Sequence, residues 1–343
     1  MLSETARAKV NLTLEVLGRR PDGYHELRSL VAFADYGDTL RLEAPSAPFS
    51  LDIDGPFAAA LEGRNLVQAA VEQYVRVAIE TSGEGKWPDA DAAPLADSAA
   101  NRAYRDAQPA NASPSRGGMS NRASGGEAPF LVAQNRDASP RGAFRLTKRI
   151  PVAAGLGGGS ADAAAALRLL SRMTPEAQPL ERLLPLAARL GADVPVCLLS
   201  KPAMMTGIGE RLTLLPGFPK LPAVLVNPRL PLATAAVFGE LRAAPLEGTS
   251  IEEAEPAALQ SLDAVLDYAK QRRNDLEAPA CRLLPVVGAI LACLERTPGV
   301  VLARLSGSGP TCFALFREWH EAEAAARRLR SEHAGWWIEA VTL

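Results

Sequence analysis

The chain has 343 residues, 48% of them hydrophobic, with 37 basic against 39 acidic side chains. That length exceeds what one hydrophobic core usually spans, so two domains are expected. A formal net charge of -2 supplies no field for nucleic acid or an anionic membrane, so neither is an expected partner.

In chain order, the opening stretch MLSETARAKVNLTLEV lacks the apolar core of a secretion signal. No later apolar run is long enough to span a bilayer, so a cytoplasmic protein is expected. Val10, Leu12, Leu14 and Val16 alternate with Asn11, Thr13 and Glu15, the period of a half-buried strand over Val10–Val16. Pro21-Asp22-Gly23 marks a turn, and ELRSLVAFA and DTLRLE read as two further strands. Asn65 is placed to cap a helix whose apolar stripe is Val67, Val71, Tyr74 and Ala78.

Over residues 82–142 the composition shifts to Ala, Ser, Asn, Asp, Arg, Pro and Gly. Such a stretch cannot bury enough surface to offset its ordering entropy, and it is far longer than a loop. It is expected to be a disordered insertion, and a deletion of Ser82 to Arg141 is expected to leave activity intact.

Structure is expected to resume at Phe144 with the strand FRLTKRI, followed by PVAAGLGGGSADAAAALRLL, a glycine loop running into a helix. LERLLPLAARLG reads as a helix ending on Gly191, ADVPVCLL as a short buried element, and LPAVLVNP as a strand. Helices are expected near Leu232–Leu241 and Glu253–Ala269, with one long helix over Asp275–Glu295. VVLARL and TCFALF are strands flanking SGSGP, REWHEAEAAARRLRSEHAG is a helix, and WWIEAVTL is a last strand. With the extra helices set aside, this half reads β-α-β-β-α-β, the ferredoxin-like pattern. The expected fold class is α+β, with domains at 1–208 and 209–343. Cys197, Cys281, Cys293 and Cys312 form no CxxC or Cys/His cluster, which argues for small buried residues in a reducing compartment.

The glycine loop carries the chemistry. It lacks the GK[ST] ending of a P-loop, and Ser160 stands at the third glycine of a dinucleotide fingerprint. Its physics is still that of an anion site. Glycines bring backbone N–H groups close to a ligand, and a helix N-terminus adds its dipole. Ser160 fits three roles: helix cap, phosphate contact or metal ligand.

PVAAGLGGGSADAAAA resembles the phosphate-binding motif of the GHMP kinases, and ARLSGSGPTCFAL, Ala303 to Leu315, resembles their C-terminal glycine-rich motif. AKVNLTLEVLGRRPDGYHEL, GADVPVCL, NPRLPLATAAVF and RNDLEAPA are similar to one branch of that family, and only the insertion is left uncovered. The resemblance implies the two-domain GHMP kinase fold: an N-terminal ribosomal-S5-domain-2-like α/β domain, then the ferredoxin-like domain. It implies transfer of the ATP γ-phosphoryl group to a small-molecule alcohol, with Mg²⁺ accompanying ATP.

By the same resemblance, Asp193 accepts the hydroxyl proton. Lys9 keeps that carboxylate ionised and stabilises the developing alkoxide. Taken alone, Asp193 also fits a helix cap and Lys9 a solvated strand end. ATP is assigned to Pro151, Val152, Ala153, Ala154, Gly155, Leu156, Gly157, Gly158, Gly159 and Ser160, with Asn65 near the adenosine and Lys148 near the nucleotide. Ser160 is the single metal-ligand candidate. Gly307 and Gly309 back the loop, form a turn, or do both. Asn11, Tyr24, His25, Thr234 and Phe238 are assigned to the acceptor. Tyr24 would stack on a cytosine base, His25 would read its polar edge, and Phe238 would cover the other face. Thr234 would bond near the diphosphate or base, and Asn11 would bond the substrate or orient Lys9. Alone, Asn11 fits an outward polar position and Phe238 a core position. Two alternatives stand beside this reading: a GHMP kinase for homoserine or mevalonate, which offers no base to stack, and a non-catalytic relative, which would have lost Lys9 or Asp193. A monomer or weak homodimer is expected.

Overall fold

The computed structural model describes residues 1–61, 63, 65–82, 140–173, 180–246 and 259–343. The first half is a mixed sheet built around one long strand. Strands β1 (Leu2–Asn11), β2 (Glu15–Arg19), β3 (His25–Pro48), β4 (Ser50–Asp54), β5 (Arg141–Thr147), β6 (Ala203–Gly207) and β7 (Arg211–Leu214) form it. β3 pairs antiparallel with β1, β2, β5 and β6, while β4 runs parallel to β5. Helices α1 (Leu66–Ser82), α2 (Gly158–Met173), α3 (Leu180–Leu190) and α4 (Val194–Leu199) belong to this half.

The second half is a four-stranded antiparallel sheet. Its order is β11 (Trp337–Thr342), β8 (Pro222–Asn227), β10 (Cys312–Phe316), β9 (Val300–Leu305). Helices α5 (Thr234–Leu241), α6 (Leu262–Lys270), α7 (Glu277–Leu283) and α8 (Val286–Glu295) lie between β8 and β9, and α9 (Trp319–Glu332) joins β10 to β11. This is the ferredoxin-like arrangement expected from the strand and helix pattern.

Three cores explain why the strands are apolar on both faces. Along β10, Cys312, Ala314 and Phe316 enter the core under the C-terminal helices, while Phe313 and Leu315 enter a second core shared with Ala8, Val10, Leu12 and Leu30 of the first sheet. A third core packs α1–α4 on β1, β3 and β5. The alanine run of α2 is buried from Ala161 to Leu167, because small side chains allow the helix to lie close to β1 and α1. Among the described residues, no helix is long and apolar enough to cross a membrane.

Several expectations are corrected. The alternation read over Val10–Val16 spans a break, since β1 ends at Asn11 and β2 begins at Glu15. Asn11 and Thr13 are buried rather than outward, Asn11 bonded to Ser29 and Ser306 and Thr13 Oγ1 accepting from the Leu30 N–H. ELRSLVAFA and DTLRLE form one strand, β3, of 24 residues. The glycine between them, Gly37, is there for close approach, as a Cβ would sit 2.2 Å from the Ala6 carbonyl oxygen. The long helix over Asp275–Glu295 is two, α7 and α8, broken at Leu284 and Pro285. The helix expected over Glu253–Ala269 starts at Leu262, and residues 247–258 lie outside the described ones.

β7 pairs with β6 inside the first sheet, so a division at 208/209 would cut a hairpin, and the first sheet runs on to Leu214. Residues 83–139, most of the expected insertion 82–142, lie outside the described residues. At its edges, Ser82 is the last residue of α1, and Arg141 and Gly142 open β5. Arg141 pairs with Pro48 of β3, so a deletion of Ser82 to Arg141 would trim both elements.

Candidate active site

The glycine loop links β5 to α2. It needs left-handed backbone at Ala153 (φ 51°), Gly155 (φ 71°) and Gly157 (φ 63°). The first helical bond is Ala161 N–H to the Gly157 carbonyl, 2.8 Å. The N–H groups of Gly158, Gly159 and Ser160 therefore lie ahead of the helix's own ladder, where an anion is favoured. The helix starts at Gly158, two residues before Ser160, so Ser160 is inside the first turn and is not its cap.

A second glycine loop, Ser306 to Pro310, backs the first. Ser306 Oγ donates to the Gly155 carbonyl at 3.0 Å, and the Thr311 N–H donates to the Ala154 carbonyl at 3.2 Å. A Cβ on Gly155 would lie 2.3 Å from the Ser306 carbonyl oxygen. Gly307 and Gly309 thus lie in a turn between β9 and β10 that also packs against the first glycine loop. Asn274 fixes that turn from the other side, donating to the carbonyls of Leu305 (2.9 Å) and Gly307 (2.8 Å).

Lys9 and Asp193, far apart in sequence, meet beside the loop. The Lys9 N–H donates to the Leu156 carbonyl at 2.9 Å, which docks the loop on β1. Its Nζ donates to Asp193 Oδ1 at 2.9 Å. The Lys9 side chain is 5% exposed and that of Asp193 is 39% exposed, so the carboxylate opens to the cavity while the cation stays shielded. Asp193 precedes α4 but makes no side-chain cap bond, which leaves its oxygens free of that duty. Lys9 is likewise no solvated strand end. Cys197, on α4, is buried near the pair. Burial, then the Asp193 charge, pushes its thiol up to about 12, so it stays protonated and inert.

Asn11 does not bond Lys9. Its Nδ2 donates to Ser29 Oγ at 2.7 Å, and its N–H donates to Ser306 Oγ at 3.2 Å, so it ties β1 to β3 and to the second glycine loop. It still lines the cavity.

At the other end, His25 and Phe238 lie ring on ring, with centroids 4.8 Å apart and planes 30° apart. Tyr24 is 61% exposed beside them. Thr234 Oγ1 and Ser308 Oγ are 2.9 Å apart, joining α5 to the second glycine loop. Burial, then the Arg19 charge, lowers the His25 pKa, which favours a neutral ring with one donor and one acceptor. Phe238 packs against the C-terminal core and also faces the cavity, so both of its readings hold.

One cavity of about 1120 Å³ contains both ends. Lys9, Asp193, Gly155 to Ser160 except Leu156, His25, Thr234 and Phe238 all line it. Asn65 caps α1 through Oδ1, accepting from the Val67 N–H at 2.8 Å; its neighbour Leu66, rather than Asn65 itself, lines the cavity.

Lys148 is also in the wall, but its ammonium is held between two carboxylates, Asp38 and Asp162. Burial pushes the Asp162 carboxyl up to about 7, against the pull of Lys148. Sequence reasoning missed both aspartates. The signal was an acid inside an alanine helix, ADAAAA, where a charge has no solvent to face. Reasoning also missed Arg19 and Arg242, cations at the His25 end of the cavity, and Ser308. Among the described residues there is no group of three or more His, Cys, Asp or Glu that would hold a metal ion.

Residues 130–201 match the family described as GHMP kinases N terminal domain, and residues 254–335 match GHMP kinases C terminal. The chain is 42% identical to a 4-diphosphocytidyl-2-C-methyl-D-erythritol kinase of Rhodopseudomonas palustris, covering 100% of this chain and 98% of that protein. It is 42% identical to a protein of the same name from Methylorubrum extorquens, covering 100% and 99%. A solved 4-(cytidine 5'-diphospho)-2C-methyl-D-erythritol kinase superposes with a TM-score of 0.64 at 30% identity, over 99% of this chain and 98% of that one. A homoserine kinase from Cytophaga hutchinsonii, at 16% identity and a TM-score of 0.58, shares the fold.

Proposed function

The chain belongs to the GHMP kinases, with the 4-diphosphocytidyl-2-C-methyl-D-erythritol kinases among them, and from that premise we propose that its cavity takes ATP at one end and the cytidyl alcohol at the other. The reaction is ATP-dependent phosphorylation of 4-diphosphocytidyl-2-C-methyl-D-erythritol, a step of isoprenoid precursor synthesis by the non-mevalonate route, with the 2-hydroxyl as acceptor. The observation that carries this reading is the placing of two chemistries in one cavity: the Lys9–Asp193 pair beside the phosphate loop, and the His25–Phe238 pair beside Arg19 and Arg242.

The N–H groups of Gly158, Gly159 and Ser160 receive phosphate oxygens. Asp193 takes the proton from the acceptor hydroxyl as its oxygen bonds the γ-phosphorus and the bond to ADP breaks. Lys9 holds Asp193 in place before the step and stabilises charge on the acceptor oxygen during it. Mg²⁺, carried by the nucleotide, would neutralise phosphate charge. With no acidic cluster among the described residues, Ser160 Oγ is the protein oxygen suited to it, phosphates and water supplying the rest.

At the acceptor end, a cytosine sits against the His25 and Phe238 rings, with Tyr24 free to close on it. The neutral His25 ring offers a donor and an acceptor to the base edge. Arg19 and Arg242 suit the diphosphate, and Thr234 lies within the same end. A homoserine or mevalonate acceptor would leave this end unused. One chain carries the whole cavity, which supports a monomer or weak homodimer working in the cytoplasm, where ATP is supplied.

The His25 and Phe238 roles are tested by Phe238→Ala and His25→Ala. Each is expected to raise KM for the cytidyl substrate by about 10- to 100-fold, the range of one stacked base, with KM for ATP unchanged. Steady-state titration of both substrates reads this out. Equal shifts in both KM values would reject the assignment.

A further inference from the structure

The segment Pro151 to Gly157 has few side chains with which to fix its own shape, yet the N–H groups it presents must meet phosphates at hydrogen-bond distance. Both of its ends are tied to one buried ammonium. Lys148, 2% exposed, donates through Nζ to an Asp38 oxygen and to Asp162 Oδ2, the latter at 2.6 Å. Asp38, fully buried, accepts through its other oxygen from the N–H groups of Arg149 and Ile150, the Ile150 bond being 2.8 Å. Those residues lead into the loop. Asp162 stands near the start of α2, which leads out of it.

The ammonium is close to the anion-binding turn itself. A Cβ on Gly158 would lie 3.6 Å from Lys148 Nζ. The remaining Asp162 oxygen, Oδ1, is buried without a hydrogen-bond partner, so the bond from Lys148 to Oδ2 is what anchors this side chain. Two of the three Lys148 N–H donors are spent on carboxylates, and its removal would free both ends of the loop at once.

We propose that Lys148, Asp38 and Asp162 are positioning residues that set the spacing of the phosphate loop's N–H groups, and that Lys148 serves the nucleotide through the loop rather than by touching it. The proposal rests on the reading of this loop as the ATP phosphate site. The acceptor oxygen on Asp162 matters more than its charge, because one ammonium faces two carboxylates and an amide oxygen accepts from Lys148 equally.

The test uses the full chain with ATP and the cytidyl substrate. Asp162→Ala is expected to raise KM for ATP, and the Kd for ATP by titration calorimetry, by about tenfold or more, with kcat within about threefold. Asp162→Asn is expected to return both values to within about threefold of the parent. Thermal melting is recorded in parallel. If Asp162→Ala lowers Tm with KM and Kd for ATP unchanged, the link is structural only and the proposal fails. It fails also if Asp162→Asn is as impaired as Asp162→Ala. Should Asp162→Ala not fold, Lys148→Arg keeps the charge and crowds Gly158. A raised Kd for ATP with Tm held is the expected result, and an unchanged Kd overturns the proposal. Absence of ATP binding by the parent protein would instead reject the reading of the loop.

Discussion

Asp193→Asn lowers kcat by about two to four orders of magnitude while the Kd for ATP stays within about threefold, because a general base contributes about 10²- to 10⁴-fold and the phosphate loop is untouched. The amide keeps the shape of Asp193 and still accepts a bond from Lys9 Nζ, now 2.9 Å from Oδ1. It cannot take the proton. Lys9 is 4% exposed, so the variant leaves a shielded cation without its counter-charge, and a modest fall in Tm accompanies the loss of rate. Product formation in a coupled ADP assay, with ATP binding by calorimetry, separates the two effects. A kcat within tenfold of the parent would reject Asp193 as the base and move attention to another acceptor in the cavity.

Gly155→Ala raises KM for ATP by about 100-fold and lowers Tm. Two costs combine. A φ of 71° is left-handed, where an alanine pays about 1–2 kcal/mol. The added Cβ would also lie 2.3 Å from the Ser306 carbonyl oxygen and 2.8 Å from the Gly309 nitrogen. Both neighbours are backbone in the second glycine loop, so one loop must move off the other, and a shift of about 1 Å in a positioned group costs about 10²-fold. Gly63→Ala is the control. Its φ of 75° carries the same left-handed cost, but a Cβ there meets nothing within 4 Å. If both variants lose the same stability and neither changes KM for ATP, contact between the two glycine loops is irrelevant to nucleotide binding.

What the sequence made legible follows its local signals. The helix capped by Asn65 was readable because its stripe, Val67, Val71, Tyr74 and Ala78, is the buried one. The ferredoxin-like half was readable because turns and helices punctuate its strands. The site's long-range pairings were not. Nothing local says that Lys9 and Asp193 approach to 2.9 Å; the family motifs suggested both, and the fold of β1 against α4 joins them. Asp38 and Asp162 were missed because their partner is Lys148, reached through strand pairing and a helix turn rather than sequence spacing. Alternation puts Asn11 on the face away from Val10 and Leu12 but does not say that Ser29 and Ser306 bond it there, since those contacts come from strand pairing and from the other half of the chain. The pairing of β6 with β7 was equally out of reach: Ile208 to Glu210 resembles a linker until the hairpin is seen.

The central claim is that one cavity couples a phosphate loop and the catalytic pair Lys9–Asp193 to a cytidyl pocket. The most direct measurement is ADP release by the purified full-length chain with ATP and, in separate reactions, 4-diphosphocytidyl-2-C-methyl-D-erythritol, 2-C-methyl-D-erythritol, homoserine and mevalonate. Rapid turnover with the cytidyl substrate, at a kcat/KM about 100-fold or more above each of the others, is the expected result, since a stacked base is worth about 1–3 kcal/mol and the diphosphate adds to it. Comparable turnover with homoserine or mevalonate, or ADP release that ignores the acceptor, would contradict it.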